Sequence, residues 1–99
     1  MTKIKKLAEH IADELSDAKE YAEKYIECKA AEKSTPAARY KEMAEDELKH
    51  ARYIHDMATQ EIEALEKVFT PPENMREAWE KSHREYVERA AWIKQMLAM

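Results

Sequence analysis

Apolar residues recur along the first third of the chain at helical steps. Ile4, Leu7, Ile11, Ala18, Tyr21, Tyr25 and Cys28 follow one another three, four or seven positions apart, which is the repeat of one face of an α-helix. This spacing predicts a helix over about 3–31. Glu14 interrupts its apolar stripe, three residues after Ile11 and four before Ala18. Asp13, Asp17, Glu20, Glu23 and Glu27 fall off that line and read as a solvated face. A second stripe, Tyr40, Met43/Ala44, Ala51, Ile54 and Ala58, predicts a helix over about 36–69. Between Ala44 and Ala51 its next place belongs to Glu47, and His50 follows one turn later on the same side. Met75, Trp79, Tyr86, Ala90, Ile93 and Leu97 form a third stripe, over about 72–97, with His83 on or beside it.

Two breaks separate the stripes. In Glu32-Lys33-Ser34-Thr35-Pro36, Ser34 or Thr35 is expected to cap the second helix and Pro36 to fit its first turn. A break this short folds helices 1 and 2 into an antiparallel hairpin. Centred near Lys33, it puts Glu14 opposite roughly Arg52, about one turn from His50. In Thr70-Pro71-Pro72-Glu73, Thr70 is expected as N-cap, with Glu73 closing a capping box. The expected fold is all-α, a single three-helix domain spanning 1–99.

Composition narrows the functional classes. Gly is absent and charged residues make up 38% of the chain, with 17 Lys+Arg against 21 Asp+Glu and a formal charge of −4. Interspersed signs at that density describe solvated helix faces and no basic nucleic-acid footprint. Nothing approaches a transmembrane run. The single cysteine, Cys28, allows no internal disulfide and fits a cytoplasmic, thiol-tolerant setting. A chain this short buries a modest core and leaves wide apolar stripes, so self-association as a homodimer or higher homo-oligomer is expected.

The chemistry lies in the interrupted stripes. A buried, unpaired carboxylate costs several kcal/mol, and each of the first two helices carries one acid where an apolar residue belongs. Glu14, Glu47 and His50 therefore read as a candidate metal site, since helix bundles present cations with inward Glu and Glu-x-x-His. Against this stands the plainer reading that Glu47 pairs with a rim cation and His50 is an ordinary boundary histidine. Glu80-Lys81-Ser82-His83 is a second Glu-x-x-His. Folding helix 3 back from the prolines puts His83 opposite about Ala58, away from His50, so His83 is expected as a buried structural histidine. His55 and His10 sit on stripe edges, from which either could back up Glu14 or bind an extra ion, but lone histidines are mostly structural and both are expected to be so here. Trp79 and Trp92 read as anchors for helix 3, and Met75, Met96 and Met99 as core and interface filling.

Glu14, Tyr21 seven residues later, and Glu47-Leu48-Lys49-His50-Ala51 resemble the metal-binding motif of the ferritin-like superfamily, in particular rubrerythrins and short encapsulated ferritins. Asp13 to Ala22 also resembles a group of small phage-associated ferritin-like proteins. The resemblance covers about residues 10–58 and implies a di-iron carboxylate site. Glu14 and His50 would be ligands, Glu47 a bridging ligand, and Tyr21 a hydrogen-bond donor behind them. It further implies a four-helix bundle completed by dimerisation, with the metal pair on the two-fold axis, and ferroxidase or peroxide-scavenging activity. Another divalent metal fits the same ligands. The alternative is a non-catalytic helical oligomerisation module, of phage origin, with a structural or vestigial metal site.

Overall fold

The computed structural model describes residues 2–99 and forms three helices, α1 (Thr2–Ala30), α2 (Ser34–Glu66) and α3 (Glu73–Leu97). There is no strand among the described residues. A sequence without glycine and rich in Ala, Glu, Lys and Met has few alternatives to helix. α1 and α2 pack along their length as an antiparallel hairpin, and the whole is a rod of 55 × 17 × 17 Å.

The first turn is tighter than the sequence suggests. Glu32 takes a left-handed conformation (φ 59°). The Lys33 N–H then reaches the Cys28 carbonyl at 2.9 Å and the Glu32 N–H reaches that of Lys29 at 3.0 Å. These two bonds are a Schellman cap, here built without glycine. The carbonyl of the same Lys33 accepts the Ala37 N–H at 3.1 Å and opens α2. Ser34 and Thr35 are thus already helical and do not cap it. Pro36 still falls in the first turn, where an N–H has no intrahelical partner.

The second turn also departs from expectation. α2 stops at Glu66, short of residue 69, and Pro72 is the N-cap of α3 with no side-chain cap bond. The Thr70–Glu73 capping box does not form. A residue that precedes proline is disfavoured in the helical region, so neither Thr70 nor Pro71 can be helical here. Val68 and Phe69 are left exposed.

The core runs down the hairpin seam. Ile11, Leu15, Ala18, Ala22 and Tyr25 of α1 meet Ala37, Ala44, Ala51 and Ile54 of α2, and α3 adds Ala90, Ile93, Met96 and Leu97. Burying each Leu or Ile side chain contributes about 1.5–3 kcal/mol. The alanines let the first two helices approach closely. Leu15 and Ala22 lie off the sequence-derived stripe because α3 covers that second edge of α1. There Ala8, Ala12 and Leu15 share a groove with Ala78, Ser82 and Tyr86. Arg89 of α3 donates to the Ser16 hydroxyl at 3.1 Å, and Lys29 donates to the Met99 carbonyl, so α3 runs parallel to α1. Trp79 packs on the core and anchors α3, but Trp92 is 59% exposed. Of the expected methionine filling, Met96 is buried, Met75 half-buried and Met99 exposed. Cys28 is half-buried.

Candidate metal centre

Two exposed-edge contacts fix the hairpin register. Lys3 bonds Glu61 at 2.8 Å, and Glu14 lies 3.6 Å from His50. Both pairs are symmetric about Glu32, the left-handed residue of the turn. Glu14 therefore faces His50 directly, where counting from Lys33 predicts Arg52.

Glu14 and Glu47 are half-buried, with side chains 16% and 21% exposed, while His50 is 54% exposed. One ligand atom from each of the three lies within 4.8 Å of the others. His50 Nδ1 stands 3.6 Å from Glu14 Oε2 and 3.7 Å from Glu47 Oε2. His10, one turn before Glu14 on the same helix edge, meets Glu14 Oε1 at 3.1 Å. Glu14 Oε2 is buried and has no hydrogen-bond partner among the described residues. An orphaned carboxylate oxygen beside a second acid and an imidazole is relieved either by a cation or by a proton held on the second acid. The donor set, two carboxylates and one imidazole, suits Fe, Mn or Zn.

The electrostatics follow from crowding. Glu47 is pushed up to about 7 because the facing Glu14 carboxylate accepts its proton, with burial and the negative charges of Glu14 and Asp17 adding to the effect. Glu14 is held below its ordinary value, first by that proton from Glu47 and then by His10 and His50, against burial. The pair therefore shares one proton near neutrality.

The other candidates lie elsewhere. Tyr21 stacks on Tyr40 at 6.4 Å between ring centroids, and its hydroxyl bonds neither carboxylate. His83 is exposed, not buried as expected, and lies against the turn of α2 just before Ala58. It meets His55 at 2.7 Å, and of the two His55 is the less exposed, half-buried against Tyr86 and Trp79. The hydroxyl-bearing ring of Tyr86 lies 4.4 Å from that of His55. Glu80 is exposed and belongs to no ligand cluster among the described residues. Asp17, assigned to solvent from the stripe, acts on Glu47 through space. Its signal was its position three residues after Glu14, the same offset that places His50 beside Glu47.

The site lies on the hairpin edge that α3 leaves open. His10, Glu14 and Tyr21 share that edge of α1, at four- and seven-residue steps. Met43, Glu47 and Ile54 share the matching edge of α2. On the opposite edge, Leu48 and Arg52 of α2 line a groove with Tyr86 and Ala90 of α3.

No protein-family model matches the chain, and no curated protein or solved structure does so either. No helix among the described residues is long and apolar enough to cross a membrane.

Proposed function

We propose that this chain is a ferritin-like protein that binds divalent metal, iron in the first place, as a homodimer. Glu14, Glu47 and His50 of each chain would hold the ions on a two-fold axis. The observation that carries this reading is a pair of half-buried acids on facing helices, one with an orphaned oxygen, on the one hairpin edge without a third helix. Two such hairpins, edge to edge, make a four-helix bundle in which each chain contributes one Glu, Glu-x-x-His set, half of the ligands of a two-metal site. Iron bound there supplies a one-electron couple whose ferric state is favoured by carboxylate oxygens.

The chain's own residues divide the remaining work. His10 orients Glu14 through Oε1 and leaves Oε2 free for a cation. Glu47 holds a proton in the metal-free state and gives it up to become a ligand. The exposed imidazole of His50 completes the set without a large rearrangement. Met43, 40% exposed beside the site, supplies apolar contact for the partner hairpin.

Wild type and Glu47→Ala, purified without chelator, test the proposal. Fe(II) is added without oxygen, air is admitted, and the near-ultraviolet absorbance of oxidised iron is followed alongside sedimentation. The expected result is faster oxidation and dimer formation in wild type, both diminished in Glu47→Ala. Oxidation no faster than in buffer, with a monomer at all iron levels, would end it.

One observation favours a second reading, a non-catalytic helical module. The proton shared by Glu47 and Glu14 already offsets part of the charge at the acid pair without a cation. That reading expects metal-free protein to be as stable as metal-loaded protein.

A further inference from the structure

The α2–α3 contact holds a second convergence of ligand atoms, apart from the carboxylates. Nε2 of His55 and Nδ1 of His83 point at each other across 2.7 Å from different helices. His55 is held in place, with its side chain 14% exposed and its ring stacked on Tyr86 at 4.4 Å and lying 5.5 Å from Trp79. Its other nitrogen, Nδ1, lies 3.8 Å from the Asp56 carboxylate. A carboxylate on that side favours the tautomer with its proton on Nδ1, which leaves the Nε2 lone pair facing His83. In that tautomer His55 Nε2 accepts and His83 Nδ1 donates the bond between the rings.

We infer that His55 and His83 form a two-imidazole site for a borderline transition-metal dication, Zn(II) by preference, that clamps α2 to α3. Two nitrogens at about 2.0–2.1 Å from one tetrahedral ion stand roughly 3.3 Å apart. The rings need to part by about half an ångström, and exposed His83 is free to swing. His83 passes to the tautomer protonated at Nε2, which faces solvent, so no net proton is lost. Water fills the remaining positions. Imidazole donors alone select Zn, Ni or Cu over Mg, Ca or Mn, unlike the carboxylate cluster on the other edge of the hairpin.

Zinc calorimetry on the full chain carrying Glu47→Ala and His50→Ala, which disables the carboxylate cluster, isolates the site. About one equivalent of Zn(II) per chain is expected, with no response to Mn(II). Adding His83→Ala should weaken zinc binding about tenfold or more. Should that triple variant lose helicity, nitrogen-15 shifts of the imidazoles in the parent variant serve instead, with zinc moving His55 Nε2 and His83 Nδ1 together. Absence of zinc binding, binding unchanged by His83→Ala, or unmoved ring nitrogens each overturn the inference. None of these outcomes bears on iron at Glu14 and Glu47.

Discussion

Glu14 on α1 and His50 on α2 face one another across the hairpin, carboxylate oxygen to imidazole nitrogen at 3.6 Å. Their alignment follows from the turn, since both this pair and Lys3–Glu61 are centred on Glu32. A one-residue change in that turn would shift every contact along the seam and part the carboxylates from the imidazole. The site's geometry is thus set 18 residues away from Glu14, at one left-handed residue.

That residue gives the first prediction. A β-carbon in the left-handed region costs about 1–2 kcal/mol, and glycine avoids the cost. Glu32→Gly should stabilise the protein by about 1 kcal/mol, raising Tm by about 4–8 °C in a domain of this size. The Schellman bonds should be retained. Thermal melts followed by circular dichroism measure it, and a lower Tm would show that the Glu32 side chain stabilises the turn in some other way.

The acid pair gives stability a defined pH dependence. Glu47 rises from an ordinary 4.5 to about 7 on folding. Its contribution is present below pH 4.5 and is lost as the pH climbs through 7, because ionising Glu47 beside Glu14 is resisted in the folded state only. Glu14 moves the other way, so its contribution is present above pH 4.5 and is lost as pH falls through its depressed value. Denaturant titrations in chelator should therefore show wild type weakening from pH 5 to pH 8. In Glu47→Gln the Glu47 part of that slope disappears. Equal slopes in the two proteins would remove the shared proton from the account.

Cation binding should displace that proton. Metal at Glu14, Glu47 and His50 requires ionised Glu47, so Mn(II) binding at pH 6 should release close to one proton per site, falling toward none at pH 8. Calorimetry in buffers of different ionisation enthalpy counts the protons. Glu14→Ala should abolish both the heat and the metal-dependent rise in Tm.

Packing predictions separate the core from the open surface. Leu15 is 1% exposed between α1 and α3, and Leu15→Ala should cost about 2–5 kcal/mol. Trp92→Ala, at an exposed site on α3, should fall within about 0.5 kcal/mol in the isolated chain. A larger loss at Trp92 in sedimentation-verified oligomer would mean that another copy covers it.

Much of this protein was set locally. The three- and four-residue repeat of apolar positions determined three helices. The same repeat exposed Glu14 and Glu47 as acids at apolar places and put His50 one turn from Glu47, because a helix's faces follow from its own sequence. Tertiary structure decided the rest. Which groove of the hairpin α3 would fill could not be read from α1, whose Leu15 and Tyr21 edges are both apolar. That choice buried Leu15 and left the acid edge open. The register, the unused caps at Ser34, Thr35 and Thr70, and the meeting of His55 with His83 depended on how two turns closed and how the helices then packed. No periodicity within one helix records the distance to another.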